Sequence, residues 1–195
     1  AILWGIANLN TNVITPVKYT SIEYDTSAQY SRYNLVKVFL EGGKVNRSGW
    51  SQQIHLDDKY GYMNMNGEEV IPCKYLLVSD FSPDGNCTVA VRDESKDGKK
   101  YSYSSTIYHY YRFLFGIMDC NGREITPLKW KTMGTSTNER WNNDTSSSSY
   151  KQISASYINV TVPIFVDGRM SVQSPDESWG FINDKGKVLG EVKWR

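Results

Sequence analysis

The stretch WGFINDKGKVLGEVKW at residues 179–194 is one of four sixteen-residue segments that share a pattern. The others are WGIANLNTNVITPVKY at 4–19, YGYMNMNGEEVIPCKY at 60–75 and FGIMDCNGREITPLKW at 115–130. Every copy starts with an aromatic residue and glycine and ends with lysine and an aromatic residue. The opening and closing residues are Trp4, Gly5 and Tyr19; Tyr60, Gly61 and Tyr75; Phe115, Gly116 and Trp130; and Trp179, Gly180 and Trp194. Recurrence in a fixed internal register indicates one supersecondary unit used four times.

Each copy predicts a β-hairpin. In the third copy two short runs, 115–119 and 123–126, flank a centre that contains Asn121 and Gly122. Because asparagine and glycine adopt positive φ at little cost, they end one strand and reverse the chain into an antiparallel partner. In the first copy Thr11 takes the place of the turn glycine, so we expect a neighbouring asparagine to adopt the left-handed conformation there.

Alternation within the first strand of each copy predicts which side chains are buried, because residues two apart share a face. We expect four pairs to be core: Trp4 with Ile6, Tyr60 with Tyr62, Phe115 with Ile117, and Trp179 with Phe181. The opposite face carries the glycine of each copy. A position without a side chain there allows a neighbouring strand or ring to approach closely.

The second strand of each copy adds a branched aliphatic residue to the predicted core. These residues are Ile14, Val70, Ile125 and Leu189. Pro16, Pro72 and Pro127 follow in three copies, and we expect them to stop the strand ladder because proline has no amide hydrogen to donate. The lysine before each closing aromatic residue is expected to lay its stem across that ring. The alternative is a row of cations that face a ligand.

The four copies resemble the WG repeats, also called KWG repeats, of bacterial proteins. That family's pattern runs approximately Trp-Gly-Phe-Ile, an Asp/Asn-Gly turn, and Ile-Pro-x-Lys-Tyr, and residues 179–194 are the most similar copy. A strand of small residues that precedes the WG pair in the family is recognisable at 85–92 and 168–173. The resemblance implies a modular β-repeat fold and no shared catalytic residue.

Composition favours an all-β protein with little or no helix. The chain has 195 residues, of which 14 are tyrosine, 6 tryptophan and 6 phenylalanine, and no long segment keeps a helical period. We predict one domain over residues 1–195, built as an open, twisted, solenoid-like array of hairpins. A further interpretation is that these residues are a segment of a longer repeat protein. A propeller-like or barrel-like closure is the alternative. About forty residues separate successive hairpins, which is room for units of three or four strands.

Charge and motifs exclude several functional classes. The net charge is +1 with scattered Lys and Arg, which disfavours nucleic acid as a partner. No apolar run is long enough for a transmembrane segment. The histidines and three cysteines lack metal-ligand spacing, and no catalytic or cofactor-binding motif occurs, so we expect no metal, no cofactor and no enzymatic activity. We expect Cys73, Cys87 and Cys120 to be reduced thiols.

Two connecting stretches differ in character. Residues 101–115 alternate strongly and hold the largest concentration of aromatic residues, which predicts a core-facing long strand or bent pair of strands. The alternative is a row of exposed rings, and the candidate ligand-facing residues are Tyr108, His109, Tyr110 and Trp141. Residues 135–149 are rich in serine, threonine and asparagine and predict a loop with little order of its own.

The function that these patterns favour is a non-enzymatic binding or scaffolding module that recognises a protein or peptide. The alternative is binding of carbohydrate or cell wall through exposed aromatic rings. A hydrolase with a site assembled from distant loops is the remotest candidate. The sequence does not determine a compartment; we favour a bacterial exported or cell-envelope protein, with the cytoplasm as the alternative.

Overall fold

The computed structural model describes residues 2–8, 10, 13–23, 32–96, 101–103, 106–109, 111–138, 142–143 and 151–192. The described strands, numbered in chain order, are β1 (Ala7–Asn8), β2 (Val13–Ile14), β3 (Ser21–Glu23), β4 (Leu35–Leu40), β5 (Gln53–His55), β6 (Lys59–Asn64), β7 (Glu69–Tyr75), β8 (Leu77–Val78), β9 (Asn86–Arg92), β10 (Tyr101–Tyr103), β11 (Thr106–His109), β12 (Phe113–Asp119), β13 (Glu124–Trp130), β14 (Thr132–Met133), β15 (Thr137–Asn138), β16 (Asn142–Asn143), β17 (Gln152–Ser154), β18 (Ile158–Asn159), β19 (Arg169–Gln173), β20 (Trp179–Asn183) and β21 (Val188–Val192). The helical elements are single 3₁₀ turns at Gly49–Ser51, Glu94–Lys96 and Ala155–Tyr157. The all-β prediction is confirmed.

Three four-stranded antiparallel sheets have the same construction. Their strand orders are β3-β4-β6-β7 in sheet 1, β8-β9-β12-β13 in sheet 2 and β14-β19-β20-β21 in sheet 3. Each sheet consists of a short strand, a longer strand and one of the predicted hairpins, which confirms the four-stranded unit. The first hairpin, β1-β2, precedes sheet 1 and is closed by a bridge between Trp4 and Tyr19. One residue connects each closing aromatic residue to the next sheet: Thr20, Leu76 or Lys131.

The hairpin turns of the three sheets are built identically. The side-chain Oδ1 of Asn64 accepts hydrogen bonds from the amides of Asn66 and Glu68, at 3.0 and 2.9 Å. Asp119 and Asn183 make the same pair of bonds to the residues two and four positions later. A glycine with positive φ completes each turn, with φ of 85°, 80° and 74° at residues 67, 122 and 186. The turn chemistry read from the sequence is therefore confirmed in these three copies.

The glycine after the opening aromatic residue faces a bulge in its own hairpin. Tyr60 pairs with Tyr75 but Tyr62 pairs with Ile71, so the second strand holds two extra residues. A Cβ on Gly61 would lie 2.5 Å from the Ile71 carbonyl oxygen, and the expected close approach is thus made by this bulge. The expectation that proline stops the ladder is wrong, because pairing resumes beyond Pro72 at the closing tyrosine.

The sheets stack face to face in a repeated manner. We call the side of each hairpin that carries the opening aromatic residue its aromatic face, and the other side its glycine face. Tyr62 on the aromatic face of sheet 1 packs with Val89 and Met118 on the glycine face of sheet 2. Ile117 on the aromatic face of sheet 2 packs in the same way with Val172 and Ile182 of sheet 3. Successive repeats therefore form the interior by covering one another.

Burial of the predicted core pairs depends on position in the array. Phe115 and Ile117 are fully buried, and so is Tyr62. The prediction is wrong for Trp4, which is 55% exposed, and for Trp179 with Phe181, which are 38% and 43% exposed. For Trp179 and Phe181 the reason is the stacking, because among the described residues no sheet lies over the aromatic face of sheet 3. Trp4 is exposed although Ile6, on the same face, packs with Val38 and Met63 of sheet 1. The described sheets form no closed barrel, in agreement with the predicted open array.

Second-strand burial also differs from the prediction. Ile71 and Thr126 are buried, whereas their neighbours Val70 and Ile125 are half-buried and Leu189 is exposed. The buried position is thus one residue later than the sequence predicts, because Ile71 and not Val70 is the residue that pairs with Tyr62 of the aromatic face. The last copy, with Glu191 in place of proline, pairs Trp179 with Val192, so its register differs from that of the other sheets.

The lysines before the closing rings lie as expected. The ammonium groups of Lys18, Lys74 and Lys129 stand 5.0, 5.4 and 4.6 Å from the ring centroids of Tyr19, Tyr75 and Trp130. Lys193 is outside the described residues. The cations therefore cover the closing rings.

Connecting segments form smaller sheets that join distant parts of the chain. The pair β5-β17 aligns Ile54 with Ile153, and both residues belong to the core that sheets 2 and 3 share. We call this pair the brace, since β5 lies in a loop of sheet 1 and β17 in a loop of sheet 3. The other small sheets are β10-β11-β16 and β15-β18. The loop predicted at 135–149 thus contributes β15 and β16, and its remaining residues from 139 to 141 and 144 to 149 are outside the described part.

Candidate binding surface on the last sheet

The uncovered aromatic face of sheet 3 is the main apolar surface of the described residues. Trp179 and Phe181 stand on β20 and pair with Gln173 and Ser171 of β19. We call this side of sheet 3 the terminal face. Its two rings occupy the positions at which sheet 2 has the fully buried Phe115 and Ile117. An uncovered patch of this kind marks an interaction site in many soluble proteins.

A groove of about 700 Å³ lies beside Phe181. Its apolar wall includes Met133, Met170 and two strongly exposed residues, Ile164 (67%) and Val166 (68%). Arg169 and Asp167 supply one charge of each sign at the same groove. The groove therefore combines a wide apolar surface with a small charged part, which suits a protein segment better than a charged small molecule.

Local hydrogen bonds position the segment that carries Ile164 and Val166. The amides of Val166 and Arg169 each donate to the other residue's carbonyl, at 2.9 and 3.0 Å. Asp167 and Gly168 between them have φ of 49° and 70°, which makes a two-residue turn of the hairpin type. At the other end of the segment the Thr161 amide donates to Ser136 Oγ at 3.0 Å. The exposed apolar side chains are thus held on an ordered backbone.

A second groove, of about 380 Å³, lies on the other side of Trp179. It is lined by Leu128, Val172 and Val188, and by Ser174 and Asp176 of the β19-β20 turn. Hydrogen bonds from the hydroxyls of Ser174 and Ser178 and from the Ser178 amide lower the pKa of Asp176 to about 2. This carboxylate is therefore negative at every physiological pH and gives the groove an acidic rim.

Next to this rim, Lys131 pairs with Glu177. The Lys131 ammonium lies 2.5 Å from both carboxylate oxygens of Glu177, and the Gln173 amide donates to the same carboxylate at 3.0 Å. This ion pair connects Lys131, the residue between sheets 2 and 3, with the turn that precedes Trp179. A polar network of Lys131, Glu177 and Gln173 therefore lies at the turn that precedes Trp179.

Comparison with known families gives one match, to the family described as "WG containing repeat", over residues 60–94. This stretch of the chain is a WG-type repeat. The matched stretch runs from the hairpin β6-β7 through the short strand β8 and the long strand β9. No curated protein and no solved structure matches the chain.

The candidate ligand-facing residues are less fully described than the hairpins. Tyr108 and His109 lie on β11, where their backbones pair with Asn143 and Asn142. Tyr110 and Trp141 are outside the described residues. Just after them Tyr111 and Phe113 are buried, so the last part of the aromatic run is interior, as the sequence predicts. The glycan hypothesis stays a prediction.

Sequence reasoning missed Ile164 and Val166 as surface residues. The signal that could have found them is Val166-Asp167-Gly168, because an Asp-Gly pair next to alternating apolar residues is a strong hairpin indicator. The exposed rings of Trp179 and Phe181 carried no such signal, because their copy follows the same aromatic-glycine-hydrophobic pattern as the buried copies.

Other functional chemistry is sparse among the described residues. In that part of the chain, no group of three or more His, Cys, Asp or Glu side chains lies close enough together to hold a metal ion. Cys73, Cys87 and Cys120 are free thiols, and burial raises the pKa of Cys73 to about 11. None of the helical elements described is long and apolar enough to span a membrane.

Proposed function

We propose that the chain is a non-enzymatic binding or scaffolding module that docks a protein or peptide on the terminal face and the groove beside it. The observation that carries the proposal is a concentration of exposed apolar side chains. Six of them lie on sheet 3 or on the segment before it: Ile164, Val166, Trp179, Phe181, Val188 and Leu189. Of the other exposed apolar residues described, Ile2, Leu3, Trp4 and Val17 lie at the first hairpin, and Trp50 and Met65 stand singly.

The energetics favour an extended partner. Burying one large apolar side chain contributes about 1.5 to 3 kcal/mol. Association of two molecules costs at least about 4 kcal/mol in lost rigid-body freedom. Several of these side chains must therefore be covered at once, and a protein or peptide that crosses both sides of Trp179 can do so.

Affinity capture with matched variants tests the proposal. The immobilised chain should retain a stoichiometric partner from a native lysate or envelope extract, and Phe181→Asp or Ile164→Asp should abolish retention. Trp50→Asp is the control, because Trp50 is a fully exposed apolar residue away from sheet 3. A partner that Phe181→Asp still retains, or turnover of a substrate by the isolated chain, would contradict the proposal.

A further inference from the structure

We propose that the terminal face is shaped to receive one more four-stranded sheet of the WG type, supplied from outside these 195 residues. The inference rests on the proposed function and names the class of partner. It requires that the incoming sheet lie on Trp179 and Phe181 as sheets 2 and 3 lie on the repeats before them.

The first argument is the repeated core. Three times in the chain an aromatic face is covered by the glycine face of the next sheet. Ile6 packs with Val38 and Met63 of sheet 1. Tyr62 packs with Val89 and Met118 of sheet 2, and Ile117 with Val172 and Ile182 of sheet 3. Phe181 occupies the position of Tyr62 and Ile117 in its own copy, but it is 43% exposed. The terminal face is therefore one half of an interface whose other half is known in three examples.

The second argument is the place on the preceding strand against which the turn glycine packs, which we call its seat. Each turn from the second copy onward lies against the second strand of the copy before it. A Cβ on Gly122 would lie 2.2 Å from the Val70 carbonyl oxygen, and one on Gly186 would lie 1.9 Å from that of Ile125. Gly67 also lies against the first copy, but there the added Cβ would meet the side-chain Cγ2 of Thr15, at 2.0 Å. In the last copy the residue equivalent to Val70 and Ile125 is Leu189, which is exposed. This seat admits only a turn without a side chain.

These two features exclude a second copy of this chain as the occupant. The turns of the second, third and fourth hairpins already lie on a preceding strand. The first hairpin has Thr11 where the others have glycine, and its glycine face presents the exposed Ala7 in place of Met63, Met118 and Ile182. A threonine in the turn would bring a side chain to a position where the seats at Val70 and Ile125 hold glycine. The incoming sheet must have glycine in its hairpin turn and large side chains on its glycine face. Another WG-type repeat has both.

An extended chain provides the test. A copy of residues 77–130, which form sheet 2, is appended directly after Arg195, because one residue separates each closing aromatic residue from the next sheet. Hydrogen exchange in the stretch 179–192 is compared with that of the original chain. We expect exchange there to slow at least about tenfold, since a covered sheet opens less often. The midpoint of thermal unfolding should also rise.

Phe181→Asp in the extended chain is the matched variant. It should remove the gain in protection, and the same substitution in the original chain measures its own effect on the unfolding midpoint, which is subtracted. A second extended chain carries Gly122→Val in the appended copy only, and it should lose the gain because the valine cannot enter the Leu189 seat.

Three outcomes would overturn the inference. The inference is wrong if the appended copy leaves hydrogen exchange at 179–192 unaltered, whether that copy folds separately or stays unfolded. It is also wrong if the gain persists with Phe181→Asp, or if concentration-dependent association of the original chain protects the same stretch. A partner captured through Phe181 together with no gain on extension would leave the proposed function standing and refute the WG-type sheet alone.

Discussion

Gly122 lies against the backbone of Val70, so a methyl group on residue 122 would come within 2.2 Å of the Val70 carbonyl oxygen. The contact joins the turn of one hairpin to the second strand of the hairpin before it. Since the obstacle is a carbonyl group in a paired strand, it cannot move away cheaply. The turn glycine therefore has two roles, because it also adopts a φ of 80°.

Gly122→Ala should destabilise the protein by more than backbone strain alone. An alanine with positive φ costs about 1 to 2 kcal/mol. The collision adds to this cost, so we expect a total loss of about 3 kcal/mol or more in urea unfolding. Gly168→Ala is the control, because Gly168 has a φ of 70° but no atom within 4 Å of the added Cβ. Equal losses in the two variants would show that the contact with Val70 is unimportant.

Arg47→Met should leave a buried charge without its partner. The Asp58 side chain is fully buried, and its two oxygens receive hydrogen bonds from the Arg47 guanidinium at 2.6 and 2.9 Å. Removing one partner of a buried ion pair costs about 3 to 5 kcal/mol. The loss is measured as the change in free energy of unfolding.

Arg123→Met provides the comparison for this pair. Arg123 makes an ion pair with Asp119 at 3.2 Å, but its side chain is 77% exposed. Exposed pairs contribute less than about 1 kcal/mol. If the two variants lost the same stability, burial of Asp58 would have no energetic consequence.

Glu69→Gln should change how stability depends on pH. Burial acts to raise the pKa of Glu69, but hydrogen bonds from Lys18 and Tyr19, at 2.7 and 2.6 Å, outweigh it and hold the pKa below its ordinary value of 4.5. Because the folded-state pKa is depressed, the carboxylate stabilises the fold above the unfolded-state pKa, and this contribution is lost as the pH falls through the folded-state value. The stability difference between the original chain and Glu69→Gln should therefore be full at neutral pH and shrink below pH 4.5.

Urea midpoints measured from neutral to acidic pH check this expectation. The double variant Lys18→Met, Tyr19→Phe removes both hydrogen-bond donors, so Glu69→Gln made in that background should show a smaller pH-dependent difference. A difference that stays constant across the whole range would mean that the carboxylate is not stabilised by these two residues.

Ile153→Ala should test the brace. Ile153 is almost fully buried and pairs with Ile54 across β5 and β17. Truncating a buried isoleucine costs about 2 to 5 kcal/mol. Ile164→Ala is the matched control, because Ile164 is mostly exposed and its truncation should change stability by no more than about 0.5 kcal/mol. A small effect at both sites would mean that the brace does not contribute to the fold.

The hairpins could be predicted from the sequence because their causes are local. The asparagine or aspartate that bonds the turn amides, and the glycine that follows, lie within five residues of one another. The brace could not be predicted, because nothing in Gln53–His55 indicates a partner about a hundred residues later in Gln152–Ser154. Pairing at such a separation is decided by tertiary packing.

The candidate site shows the same limit. Ile117 and Phe181 occupy the same place in their copies, yet one is fully buried and the other is 43% exposed. The difference comes from the neighbouring sheet and is not encoded in either hairpin. The sequence therefore predicts which residues can form an interface, and the structure identifies the one that is uncovered.

The brace also affects how the molecule comes apart. In a simple array each repeat touches only its neighbours, so end units can fray one at a time. Here strands from the loops of the first and third sheets hydrogen-bond to each other, and Lys151 adds an ion pair to Asp57 at 2.5 Å. Separating sheet 3 from sheet 2 must therefore break the brace as well as the core between the two sheets. Tension applied at the C-terminal end would therefore act on sheets 1 and 3 together.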